Sequence, residues 1–305
     1  MKVVVTGAGG FIGSRVVERL LEDGHDVVAL DRSATAFGRL ERWGGRVARV
    51  ALDLETQPTR PFFETARPDA VVHLAWYADP VDYLTSTANL RSVTATLALV
   101  EAVLAVGCRK LVMTGTGVEY AARDRLVTEA DPADPQTLYA SCKHATWLVS
   151  RALAAAAGAE LSWARIFHLH GPGEDARRLI PWVARELTEG RAVGLTDGTQ
   201  VRDHLHVDDV ASGLTALLAP GAAGIYNVSS GEPVPLRRVL ETVGRLVGRG
   251  DLLQFGARPH RPGEQMFLAG DSARLRGLGW APRFGLEDGL ENALDEAFLR
   301  YRPRP

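Results

Sequence analysis

"KVVVTGAGGFIGSRVVERLLEDG", residues 2–24, runs from a β-branched stretch through a glycine turn into apolar residues at helical spacing. The order predicts strand, tight turn and helix, with Gly24 closing the helix. Gly7, Gly10 and Gly13 lack the side chains that would block a tight turn and a close approach of backbone to a ligand. Phe11 and Ile12 open the helix, whose free N–H groups and positive dipole end suit a pyrophosphate. A glycine turn by itself commonly just joins two elements. Its place between strand and helix is what makes this one a candidate dinucleotide cradle.

Outward from this unit the same alternation repeats. "DVVAL" ending at Asp31, "RVARVALD", "AVVHLA", "KLVMT", "LSWARIF" and "GIYNVS" are strand-like and are separated by helix-spaced segments. That pattern predicts an α/β protein with a Rossmann, doubly wound parallel sheet. Residues 1–170, with a further strand near 224–230, form the expected dinucleotide domain. Residues 171–223 and 231–305, richer in Pro and Gly punctuation, form an expected smaller substrate lobe interleaved with it.

Asp31 falls where the ribose diol of a dinucleotide would lie. A carboxylate there accepts hydrogen bonds from two hydroxyls and repels an extra phosphate, which favours NAD over NADP. Arg32, with Arg39 and Arg42 nearby, supplies guanidinium groups that suit that phosphate, so NADP stays open. Asp53 closes the third strand and either meets the adenine edge or caps the strand end.

Composition excludes several classes of function. The chain has 305 residues, 46% hydrophobic and 24% charged, with a net charge of -2. No field is implied that would gather nucleic acid or an anionic membrane. Cys108 and Cys142 have no disulfide-scaffold spacing, and no cleavable apolar leader or uninterrupted membrane-length run is evident, so the expectation is a cytoplasmic protein.

"TLYASCKHATWL", residues 137–148, places Tyr139 and Lys143 four apart on a helix-forming stretch, hence on one face. An ammonium near a phenol would pull its pKa down from about 10, and such a phenol can give or take a proton at a carbonyl or alcohol oxygen. Upstream, "KLVMTGTGVEY" brings Thr114 and Thr116 to a strand's carboxyl end, where an open α/β sheet places ligands. A surface pair of the same spacing would arise by chance, but not with that strand end beside it.

These residues resemble the extended short-chain dehydrogenase/reductases that act on nucleotide sugars, of the epimerase and 4-ketoreductase type. Thr6 to Gly13 match T-G-x-x-G-x-x-G, His73, Leu74 and Ala75 match H-L-A, and Tyr139 and Lys143 match Tyr-x-x-x-Lys. Thr116, four before Tyr120, matches the hydroxyl residue. "RIFHLHGPG", "VRDHLHVDDVA", "YNVSSGEPV", "RPGE" and "LGWAPRFGLEDGL" resemble later signatures, so the likeness spans nearly the whole chain. It implies Thr116, Tyr139 and Lys143 as the catalytic group, with Leu54, Leu74, Ala75 and Ile166 lining the cofactor. It also implies a nucleoside diphosphate sugar as substrate. Arg202 and Arg261 would meet its diphosphate, Glu264 its nucleotide ribose, and Trp76 and His168 its sugar. A homodimer sealed by the helices near 85–106 and 138–157 is expected too.

Departures narrow the reaction. His168 stands where the family usually has asparagine. Gly117 and Val118 replace the Asp-Glu of 4,6-dehydratases, and with Gly173 and Glu174 they replace the cysteine and histidine of the fucose-synthase relatives. Two reactions remain, C4 epimerisation with retained NAD and a single reduction of a 4-keto-6-deoxy sugar. The segments 255–267 and 171–182 resemble abequose-synthase-type 4-ketoreductases, which favours reduction, whereas Asp31 suits the epimerase. A non-catalytic sensor or RNA binder would be free to lose Tyr139 or Lys143, and neither is lost. His168, His170, His204 and His206, two apart in each pair, direct rings to one side of a strand without a third ligand cluster, so no metal is expected. Trp76 either stacks on substrate or packs in the core.

Overall fold

The structure, a computed structural model, describes residues 1–261 and 263–295. The remainder of the expected smaller lobe, Pro262 and 296–305, lies outside the described residues. In chain order the first half runs β1 (Lys2–Thr6), α1 (Phe11–Glu22), β2 (Asp26–Asp31), β3 (Ala48–Ala51), α2 (Arg60–Ala66), β4 (Ala70–His73), α3 (Ala88–Ala105) and β5 (Lys110–Thr116). It continues with α4 (Leu138–Ala156), β6 (Glu160–Ile166), β7 (His168–His170), α5 (Leu179–Thr188), β8 (Val193–Gly194), β9 (Val201–His206) and α6 (Val207–Ala216). Then come β10 (Gly224–Val228), β11 (Pro233–Pro235), α7 (Leu236–Val247), β12 (Leu253–Gln254), β13 (Phe267–Leu268), α8 (Ala273–Arg276) and α9 (Leu286–Asp295).

Seven strands form one parallel sheet in the order β10-β6-β5-β4-β1-β2-β3. Alternation along β1 explains its central place: Val3 and Val5 enter the apolar layer shared with α1 and α6, and Val4 enters the layer shared with α3 and α4. Val16, Val17 and Leu20 of α1 fill the first layer, and Leu99, Val103, Trp147 and Trp163 fill the second. Each fully buried aliphatic side chain contributes roughly 1.5–3 kcal/mol by leaving water.

The smaller lobe has its own core, in which Ile180, Val183 and Leu187 of α5 meet Val239, Leu240 and Val243 of α7. One assignment changes. The stretch 171–223 does not belong wholly to this lobe, because α6 packs along α1 on the large sheet. Its buried Val210, Ala211 and Leu214 join the first apolar layer, and tertiary packing of that stripe decides where the helix goes.

Helix α3 has the length and mean hydropathy (1.3) of a membrane span, with half of that window buried inside the protein. Its apolar content is explained by packing against α4 and the sheet, and Arg91 and Glu101 interrupt it.

Candidate active site

The glycine cradle is built as its sequence requires. Gly7 has φ +64, and the Gly10 N–H donates to its carbonyl at 3.0 Å. A Cβ on Gly13 would lie 2.0 Å from the Gly7 oxygen, and one on Gly9 would lie 2.0 Å from the Ala36 oxygen. Gly10 caps α1 with no side chain over it, leaving the first N–H groups of Phe11, Ile12 and Gly13 to an external anion. The N–H of Ala75, behind Leu74, closes on the Thr6 hydroxyl at 3.3 Å, drawing the end of β4 against the turn.

Asp31 ends β2 beside this cradle. Its Oδ2 accepts the Gly9 N–H at 2.9 Å and its Oδ1 the Arg32 N–H at 2.8 Å, so the carboxylate is fixed in place. Arg39 donates to the Gly173 carbonyl at 2.7 Å, Arg42 pairs with Glu18, and the Arg32 side chain is exposed. Two of the three guanidinium groups that sequence offered to an extra phosphate are thus engaged elsewhere. Asp53 lies past the end of β3 and takes the Glu55 N–H at 2.9 Å, the capping alternative; Leu54 follows it, half-buried.

Thr116 ends β5 at the sheet's carboxyl edge, and Ile166 ends β6 beside it in register. Thr137 caps α4 by accepting the Ala140 N–H at 3.1 Å, and the Tyr139 N–H donates to the Leu84 carbonyl at 3.1 Å. Tyr139 is therefore held in the first turn and Lys143 one turn later. Thr116 is among the groups that act on the phenol, holding its pKa down. Lys143 is buried; its Nζ donates to the Thr114 carbonyl at 2.8 Å and lies 3.9 Å from the Trp76 ring centroid. Trp76 therefore does a third job besides the two foreseen, covering the ammonium while its Nε1 donates to Asn89 at 2.8 Å.

The electrostatics differ from the sequence expectation. Burial pushes the Tyr139 phenol above its ordinary value, helped by Tyr83 and Glu119 and opposed by Thr116 and Arg178; Lys143 is not among the causes. The ammonium lies 6.0 Å from the phenol ring centroid, and burial lowers its own pKa to about 7. Desolvation outweighs the attraction of charge for phenolate because both groups sit in a poorly hydrated wall.

Around this wall stand groups that sequence reasoning passed over. Tyr83 packs edge-on against Tyr139 with centroids 5.1 Å apart, and Arg178 lies 5.0 Å over the Tyr83 ring. Both lie in loops whose approach to the phenol no local spacing encodes. Glu119 closes the turn after Thr116 as part of a capping box, a signal present in "TGVE". Arg202 and Glu264 are brought together at 3.4 Å, whereas the Arg261 side chain is exposed beside them. His168, at the head of β7, is exposed. The two "HLH" triplets pair in parallel, His168 with His204 and His170 with His206, and the rings follow one another at 5.6, 6.3 and 5.7 Å. Among the described residues no three His, Cys, Asp or Glu side chains form a group suited to a metal ion.

The sequence profile of the NAD dependent epimerase/dehydratase family matches residues 3–229. The UDP-glucuronate 4-epimerase of Thermodesulfobacterium geofontis is 30% identical, over 96% of this chain and 94% of that one. The UDP-glucose 4-epimerase of Mycolicibacterium smegmatis is 29% identical, over 97% and 98%. The crystal structure of the Thermus thermophilus UDP-glucose 4-epimerase in complex with NAD superposes with a TM-score of 0.85 at 30% identity, covering 97% of this chain and 98% of that one. With the cradle after β1, the fixed carboxylate at the end of β2 and Thr116 at the end of β5, all at the carboxyl edge of one sheet, the chain belongs to the NAD dependent epimerase/dehydratase family, enzymes of the extended short-chain dehydrogenase/reductase type.

Proposed function

We propose that this enzyme is a nucleoside diphosphate sugar 4-epimerase that keeps its NAD through the cycle. The observation that carries the reading is the Asp31 carboxylate, anchored through both oxygens at the end of β2, where it would meet a ribose diol and repel a phosphate. The two named relatives, both 4-epimerases matched along nearly their whole length, support the same reading. Single reduction of a 4-keto sugar, favoured on segment likeness alone, has no comparable support in the site.

The residues present fit NAD. Gly7, Gly10, Phe11, Ile12 and Gly13 would hold its pyrophosphate, Asp31 its adenosine ribose, and Leu74, Ala75, Ile166 and Lys143 its nicotinamide end. When bound, it supplies the acceptor and then the donor for the hydrogen on the sugar C4. The chain's own part is at the C4 oxygen. Tyr139 takes the proton from that oxygen as the alcohol is oxidised and returns it when the ketone is reduced. Thr116 orients the oxygen, and Lys143 in its protonated form supplies positive charge behind the phenol. Arg202, with Arg261, suits the nucleotide diphosphate and Glu264 the nucleotide ribose, while Trp76, Tyr83, Arg178 and His168 stand around the space for the sugar.

The test is incubation of the purified enzyme with UDP-glucose or UDP-glucuronate, reading C4 configuration by NMR and reduced nicotinamide by absorbance. Epimer should form without net cofactor consumption, and Tyr139→Phe should abolish conversion while retaining NAD. Stoichiometric oxidation of added NADH by a 4-keto sugar, with no epimer formed from the 4-hydroxy sugars, would establish the reductase instead.

A further inference from the structure

Glu119 has no exposed surface, yet it is a carboxylate beside the reacting wall. Its Oε1 accepts the Thr116 backbone N–H at 2.8 Å and the Trp163 Nε1–H at 3.1 Å. Its Oε2 accepts the Arg165 Nε–H at 3.1 Å, lies 3.0 Å from a second Arg165 nitrogen and 3.5 Å from Nδ1 of His144. One side chain thereby ties the end of β5 to β6 and lies against α4, one residue past Lys143. The Arg165 guanidinium in turn lies 4.1 Å over the Tyr120 ring, whose hydroxyl donates to Asn227 at 2.7 Å.

Capping a single turn does not need this arrangement. A solvated glutamate closes a capping box equally well, whereas taking a carboxylate and a guanidinium out of water costs several kcal/mol per ion, of order 5, which mutual attraction only offsets. We propose that Glu119 is a positioning residue of the reaction, fixing Thr116 opposite the Tyr139 phenol and holding the Lys143 ammonium by its charge. The inference rests on the 4-epimerase reading in taking those three residues as the reacting wall.

The surroundings of both ionising groups bear this out. Lys143 faces the Thr114 carbonyl and the Trp76 ring, with the neutral His73 of β4 and Tyr139 of its own helix nearby. Burial lowers its pKa to about 7, and Glu119 is the charge that opposes the fall. Tyr139 faces Tyr83, Arg178 and Thr116, and the same carboxylate raises its pKa. Loss of the Glu119 charge therefore moves both groups to lower pKa. A merely structural strut would leave them where they are.

The variants are Glu119→Gln and, to avoid a lone buried guanidinium, the double variant Glu119→Gln with Arg165→Met. UDP-glucose and UDP-glucuronate are the probes. Turnover at neutral pH should fall about tenfold with KM little changed, and both limbs of the pH profile should move to lower pH in each variant. The double variant, having lost the buried pair together, should melt near the wild type. Unmoved limbs in a folded variant overturn the proposal, even if its thermal midpoint drops. The acid shift is also read without turnover, from the pH dependence of NAD binding. A wild type that epimerises neither sugar thus counts against the reaction, and unmoved binding counts against Glu119.

Discussion

The Lys143 ammonium lies 3.9 Å from the centroid of the Trp76 ring, a cation held against a π face directly behind the phenol. A desolvated contact of this kind contributes about 2 kcal/mol. Trp76→Leu removes it, leaving the Thr114 carbonyl as the remaining close partner, so the ammonium should be lost at lower pH and kcat should fall about tenfold at neutral pH. Trp76→Phe should retain most of the activity. Steady-state profiles of the two variants check this; equal activity for Leu and Phe would show that the ring serves only as packing.

In the 4-epimerase reading Asp31 sets the choice of dinucleotide. With its carboxylate fixed by the Gly9 and Arg32 N–H groups, the extra phosphate of NADP meets a negative charge that cannot swing away. Asp31→Ser should narrow the preference for NAD by about tenfold or more, on the order of 1.4 kcal/mol, as titration of both cofactors will show. The exposed Arg32 would then be free to meet the phosphate, so the double variant Asp31→Ser, Arg32→Ala should bind NADP less well than Asp31→Ser alone.

Leu148, Val149 and Leu153 of α4 and Leu90 of α3 are exposed apolar side chains on two helices packed side by side. We expect a second copy to cover them, giving a homodimer through the helices that the sequence marked for that role. Burying one such leucine contributes roughly 1.5–3 kcal/mol, so Leu148→Glu should give a folded monomer in light scattering. A wild type that stays monomeric when concentrated would remove the expectation.

The parts of the site written in local spacing were legible. Thr6 to Gly13 encode the turn, and Tyr139 and Lys143 share a face because they are four apart on α4. Their ionisation was not legible, because it depends on Trp76, Tyr83, Glu119 and Arg178, which arrive from other elements. The same limit applies to the fold. The stripe on α6 was readable, but its attachment to α1 follows from tertiary packing. The histidine triplets could be read as facing one way, but the register of β7 on β9 joins residues far apart in sequence.

The buried histidines, two of that ladder and His73 of β4, carry a prediction about acid. His73 is buried between the hydroxyls of Thr6, at 2.7 Å, and Thr96, at 2.9 Å, and burial lowers its pKa to about 3. His170 and His204 have no hydrogen-bond partner at either ring nitrogen. Burial holds His170 well below its ordinary value and His204 at about 3. In the unfolded chain all three would take up a proton near pH 6.5, with pKa values of about that size. The unfolded state therefore binds more protons as pH falls through about 6.5, and the folded state loses stability in that direction. The slope is about 1.4 kcal/mol per pH unit for each imidazole, until the folded pKa values are reached. Over about 1.5 pH units the three rings together remove roughly 6 kcal/mol, offset in part by Glu174 and Asp203, whose folded pKa values burial raises to about 8 and about 6, so the enzyme should be measurably less stable near about pH 5 than above about pH 7. Urea unfolding at successive pH values gives the slope, and His204→Leu should reduce it by about one imidazole's share. A midpoint that stays constant between about pH 7.5 and about pH 5 would mean that these rings are hydrated or already paired.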